Sequence, residues 1–398
     1  MSRPPISERA ALFVLASVHF VNLLDFMMVM PMGPDFAGAL GIPMSHLGII
    51  GGAYTASATV VGIAGSFLLD RWERRSALTV SIVGLGLATM TGALATGSAS
   101  LVAARVAATL CFSIVADLVP DERRGRATAI VASGFSLSSI AGVPMGLELA
   151  RRGGWRAPFL VVGAIALLLA VSTRLLLPKL RAHLDTKEKP APLPLDARMG
   201  LSFAAFACSV LGNFLLIPNL SAYLQFNMGF PRERMGLLYL GAGLATLAAM
   251  RLAGAWTDRS GAFRPALTGS LLVSTTLVLG AVIQPPWLPP AVFFALFMSC
   301  STGRWIAVNA LASRVPAPSA RARYLSAQNA FVHGGCAVAA FASSAFLSEE
   351  ASGKLIGMPA LSLTAAILSL GVPVAVWFLE KRMPLRRAPV PATLVAEL

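Results

Sequence analysis

The chain has 398 residues, 56% of them hydrophobic and 13% charged, with a mean hydropathy of +0.73. An ordinary soluble domain carries about 25% charged residues, so the composition excludes a typical water-soluble protein and points to an integral membrane one. The net charge of +14 invites a nucleic-acid reading, but the basic residues are concentrated in short segments between apolar runs, which fits anionic lipid and not nucleic acid.

Twelve apolar runs follow in chain order, over residues 11–32, 47–69, 77–95, 99–116, 127–147, 157–177, 200–224, 235–256, 265–284, 290–311, 324–346 and 357–379. Each is near the ~17–25 residues that cross a bilayer as helix, whereas a barrel would show ~10-residue alternating segments. The expected fold is therefore all-α, with twelve transmembrane helices. The first run is read as a span and not a cleavable signal: it is longer than an h-region, carries His19, Asn22 and Asp25, and lacks a convincing cleavage site after it. With the N-terminus inside, 22 of the 32 Lys/Arg fall in inner segments, 6 in outer ones and 4 in or at the edges of spans. The positive-inside rule then places both termini in the cytoplasm.

Asp25 lies near the middle of the first run. A carboxylate in hydrocarbon costs several kcal/mol and faces a cavity or a partner. Burial favours its neutral form, so a carboxyl whose surroundings change is suited to carry a proton; a structural partnership with Arg105 is the competing reading. The second run ends in SFLLDRWERR (Ser66–Arg75), where Asp70, Arg71 and Arg74 sit on a short turn at the inner face. Asp70 is expected either to gate, by bonding helix-terminal amides or a loop arginine, or only to fix topology. The fourth run is short and barely spans ~30 Å.

The only long polar segment, Pro178–Arg198, is rich in proline and charge and reads as a cytoplasmic linker. Beyond it the chain repeats itself at an offset of 188: Asp25-Phe26 falls on Asn213-Phe214, Gly41-Ile-Pro43 on Gly229-Phe-Pro231, and Asp70-Arg71 on Asp258-Arg259. By Val119-Pro120 and Val315-Pro316 the offset has become 196. The missing eight residues, ~12 Å of helix, are assigned to span 4. The division is thus 1–177 for one six-helix bundle, 178–198 for the linker, 199–380 for a second bundle in the same orientation, and 381–398 for a cytoplasmic tail, a layout used by secondary transporters.

Arg304, in the tenth run, is a second intramembrane cation, read with equal weight as an anion or substrate contact or as a structural bond to carbonyls. Asn22, Asn213, Asn219, Arg304, Asn329 and His333 are the polar side chains expected at the substrate cavity, with hydrogen-bonded packing the favoured reading for His333. Cys111, Cys208, Cys300 and Cys336 lie in spans without paired spacing and read as small apolar residues. No phosphate loop, metal cluster or nucleophile motif occurs in the sequence, which speaks against an ATP-driven pump, a cofactor and an enzyme.

The pieces LDFMMVMPMGP, LDRWERR, VPDERRGRA, GVPMG, GWRAPF and IPNLSAYLQ, with the second DR-G loop, together resemble the major facilitator superfamily, and within it the bacterial drug and sugar efflux type of proton antiporter. The resemblance implies a monomeric inner-membrane transporter that exchanges protons for a small amphipathic molecule by alternating access. It implies that Asp25 and Arg105 couple to the proton, the arginine altering the carboxylate's proton affinity with conformation, and that Gly142, Pro144 and Gly146 belong to the span-5 antiporter motif. The chain departs from that pattern: the glycine-rich stretch after Arg105 is absent, and Ser66 and Glu73 replace two glycines of the first loop. The second copy, Gly254, Asp258, Arg259 and Gly261, keeps both glycines. An importer or uniporter, or a non-transporting receptor-like relative, is the alternative.

Overall fold

The computed structural model describes residues 8–68, 73–116, 137–177, 196–317 and 320–383. Within these the helices are α1 (Glu8–Val29), α2 (Gly33–Leu40), α3 (Leu47–Leu68), α4 (Arg74–Gly92), α5 (Ser98–Ala116), α6 (Val143–Gly153), α7 (Arg156–Leu176), α8 (Ala197–Phe214), α9 (Ile217–Ala222), α10 (Met235–Ser260), α11 (Phe263–Leu277), α12 (Pro290–Ala312), α13 (Arg321–Phe346) and α14 (Met358–Arg382). Two short strands, β1 (Ser348–Glu349) and β2 (Leu355–Ile356), pair antiparallel between the last two helices. Every predicted run carries helix, the fifth being described from Leu137 onward.

The boundaries moved where backbone chemistry overrides hydropathy. The first helix stops at Val29, short of the expected end at 32, because Pro31 has no amide to continue the ladder and Pro34 starts the next helix. The two pieces bend by 58°. The seventh run breaks likewise, α8 ending at Phe214 and α9 beginning with Pro218 in its first turn. Other helices outrun their apolar stretches: α6 continues to Gly153 and α10 to Ser260. On α6 the polar end is held by Glu148, which accepts from Arg151 and Arg152 and is thereby pulled down to about 2. α8 starts at Ala197, where Asp196 caps it by accepting from the Met199 amide at 2.9 Å.

In the first half α3 lies along α5 and α4 along α7; in the second, α10 lies along α12 and α11 along α14. The halves meet through α3 against α13 and α6 against α10, two pairings that exchange under the repeat. Small residues permit the approach: a Cβ on Gly48 would overlap the Ala340 carbonyl oxygen, and one on Gly52 would lie 3.0 Å from the Phe341 ring. The outer faces stay apolar, with Phe13, Leu168, Leu252 and Ile367 all exposed, as a chain solvated by lipid requires.

Described α5 has 19 residues against 23 for its repeat mate α12. Residues 117–136 and 178–195, which hold the ERRGR cluster and most of the expected linker (178–198), lie outside the described residues, as do Asp70 and Arg71, while the linker's last residues already belong to α8 and its cap; Arg74 begins α4, but its side chain is likewise outside them.

Candidate functional site

The buried residues of α1 include Val14, Val18, Val21, Asn22, Asp25, Met28 and Val29, a three-to-four-residue spacing that turns one helix face inward. Asp25 is on that face, fully inaccessible, and is the sole carboxylate buried to that degree among the described residues. From α5, Arg105 Nη1 donates to Asp25 Oδ1 at 3.0 Å, and Nη2 donates to the Asp25 backbone oxygen at 3.1 Å. From α4, Thr89 Oγ1 donates to the same Oδ1 at 2.8 Å. From α3, the Tyr54 ring lies 4.6 Å from the guanidinium centre, and Phe26 stacks on it at 4.9 Å. Four helices thus converge on one carboxylate, whose Oδ2 has no hydrogen-bond partner among the described residues.

Arg105 is 2% exposed, so both charges are out of water. Such a pair gains little net stability, since desolvation offsets the attraction, but removing either partner costs about 3–5 kcal/mol because a lone charge remains buried. Thr89 and Tyr54 were not legible as site residues; a threonine or a tyrosine in an apolar run carries no positional signal by itself.

The span-5 residues lie against this site. A Cβ on Gly142 would lie 2.7 Å from Leu24 Cδ1, and one on Gly146 would lie 3.5 Å from Met28 Cβ, so these glycines set how closely α6 and the π-turn before it approach α1 on both sides of Asp25. Pro144 occupies the first turn of α6, and its carbonyl is 3.6 Å from a Cβ built on Gly236 of α10.

The second bundle contains the counterpart. Arg304 of α12 is fully buried and donates from Nη2 to Asn213 Oδ1 at 3.0 Å and to the Ser209 carbonyl at 3.4 Å. Ser301 Oγ donates to the same Asn213 oxygen at 3.2 Å.

The remaining candidates are dispersed. Asn22 is buried one turn before Asp25. Asn219 is buried at the junction of the halves and donates to Ser343 Oγ at 2.9 Å. His333 is half-buried and Asn329 exposed on α13. Asp258 and Arg259 are exposed at the end of α10. At that end Glu380 Oε1 accepts from the Ala262 amide at 3.1 Å, and in the first half Arg75 Nη1 donates to the Leu177 carbonyl at 3.1 Å. Both bonds tie the entry to a half's third span to that half's sixth.

At the opposite end the two halves are sealed together, through residues the sequence did not flag. Arg232 donates from Nε and Nη2 to the two carboxylate oxygens of Asp35, each at 2.6 Å, and from Nη2 to the Leu147 carbonyl at 3.3 Å. Ser221 donates to the Pro31 carbonyl at 2.7 Å, and the Met44 amide donates to Glu349 at 2.5 Å.

The sequence profile of the Major Facilitator Superfamily matches residues 15–200 and 202–396, one match on each half. A chloramphenicol resistance protein of Streptomyces lividans is 28% identical over 335 residues, covering 79% of this chain and 84% of that one. A chloramphenicol efflux pump of Mycobacterium tuberculosis is 27% identical over 281 residues, covering 67% and 68%. Among solved structures, a bacterial homologue of the human lysosomal transporter Spinster, inward-facing and occupied, superposes with a TM-score of 0.72 at 18% identity over 98% of this chain and 100% of that one. A D-xylose–proton symporter gives 0.70 at 16% identity over 94% and 97%. The chain belongs to the Major Facilitator Superfamily and is a multi-pass membrane transporter, not an enzyme.

Proposed function

We propose that this transporter exports a small amphipathic molecule across a bacterial inner membrane in exchange for protons, as a monomer with both termini in the cytoplasm and with Asp25 as the proton carrier. The observation that carries the reading is the Asp25 carboxylate, held by Arg105 and Thr89 from two other helices with one oxygen unpartnered among the described residues. On protonation the carboxyl loses its charge, Arg105 is released, and α1 is free to move against α5. The proton leaves when the guanidinium returns. The sealed end, with Asp35 and Arg232, is then the outer one, and the conformation described is closed to the outside.

The substrate class rests on the relatives, whose names make chloramphenicol the first compound to try. The test is growth of a pump-deficient bacterial host on a compound panel with the chain overexpressed, followed by the direction of flux of any compound tolerated. Export that stops when the proton gradient is collapsed supports the reading; uptake, or export indifferent to the gradient, contradicts it.

A further inference from the structure

Among the described residues, Arg304 has a cation's place without an acidic counter-ion. In the first bundle the buried arginine faces a carboxylate. In the second, the position 188 residues on is Asn213, so Arg304 meets a neutral amide oxygen and one backbone carbonyl. No Asp or Glu pairs with it among the described residues, and its Nε and Nη1 have no acceptor there. A guanidinium stays charged in any protein environment, so the positive charge persists where water does not reach it. An isolated buried ion is among the costliest features a fold can hold. The surroundings leave little to offset it: Ser209 and Ser301 are neutral, and Gly269 presses close, a Cβ there lying 3.0 Å from Arg304 Cβ. Ser301 Oγ donates to Asn213 and so brings no negative charge either.

We infer that Arg304, with Asn213 and Ser301, forms an anion site in the second bundle that takes a compact, singly charged anion. The anion is supplied either by an acidic group on the transported molecule or by chloride from solution. The site does not depend on proton exchange at Asp25. The asparagine is what makes it available: an aspartate at 213 would fill it permanently, as Asp25 does for Arg105. Asn213 can also turn its amide donor toward a bound anion, which a carboxylate cannot. A ligand that binds the folded chain raises its unfolding midpoint, so the site is readable without knowing the substrate.

The experiment uses the purified full chain in nanodiscs, with thermal unfolding followed as chloride, or separately benzoate as a compact carboxylate, replaces a bulky sulfonate at constant ionic strength. The expected result is a midpoint raised by about 3 °C or more at saturating anion, absent in Arg304→Gln and absent in Asn213→Asp, which supplies its own carboxylate and starts from a higher midpoint. The measurement is made at one fixed pH with no gradient to drive transport, so its outcome is independent of the proton-coupling reading. A response to chloride alone identifies an inorganic anion, and a response to benzoate alone identifies an acidic group of the cargo. No response of the wild-type chain to either anion, or an equal response in Arg304→Gln, overturns the inference.

Discussion

Asp25 and Asn213 take matched places in the two bundles, each accepting a bond from a buried arginine of its own half at 3.0 Å. One arginine has a charged partner and the other a neutral one. The two positions are 188 residues apart and Arg105 and Arg304 are 199 apart, yet each arginine reaches the first span of its own half. The asymmetry gives the halves different chemistry: a carboxylate against the arginine in the first, and in the second a cation with no acidic partner among the described residues.

Gly48 tests whether the halves must close as tightly as they do here. In an exposed helix interior, alanine would be favoured over glycine by about 1 kcal/mol. At this position the added methyl overlaps the Ala340 carbonyl oxygen and crowds Ser343 and Ser344, and backbone cannot yield as a flexible side chain does. Gly48→Ala is expected to insert into the membrane at normal levels but to lose transport, since α3 and α13 are forced apart. Expression level and resistance in the same cells measure both.

The Asp35–Arg232 pair is bidentate but partly wet, each side chain being 21% exposed. Solvent screening limits its worth to about 1 kcal/mol despite the geometry. A double-mutant cycle with Asp35→Asn and Arg232→Gln is expected to return a coupling of that size in thermal unfolding. Full additivity of the two variants would mean that the pair contributes nothing to holding the halves together.

At the start of the second bundle, the Met199 amide, followed by Arg198, holds the Asp196 carboxyl below the ordinary aspartate range. A lowered folded-state value means that the unfolded chain binds the proton more readily. The cap's contribution is therefore complete above the ordinary value of 3.8 and disappears as pH falls through the lower folded-state value. Asp196→Ala is expected to cost about 1 kcal/mol at neutral pH. Unfolding midpoints compared at about pH 6 and about pH 3 should show the gap between variant and wild type closing at the acid end.

Much of this architecture was legible because hydrocarbon imposes it: spans must be apolar and helical, so each of the twelve apolar runs carries helix among the described residues. The helix breaks near Pro31 and Pro218 were smoothed over because hydropathy registers apolarity and not missing amides. The site was half legible. Asp25 and Arg105 stood out as charges in apolar runs, and the structure joined them. Thr89 and Tyr54 did not, because neither is unusual in a span. The Asp35–Arg232 seal was missed for the opposite reason: charges in loops are ordinary, and only the packing of the halves brings these two together.

The most direct measurement is flux of an exported compound through proteoliposomes under an imposed pH gradient, with wild type compared against Asp25→Asn. The asparagine keeps the size of the side chain and an oxygen for Arg105 and Thr89, but cannot release a proton. Wild-type flux should follow the gradient, whereas the variant should still exchange compound down its own gradient and ignore the pH difference. Variant flux that responds to pH as the wild type does would contradict the assignment of Asp25 as the proton carrier.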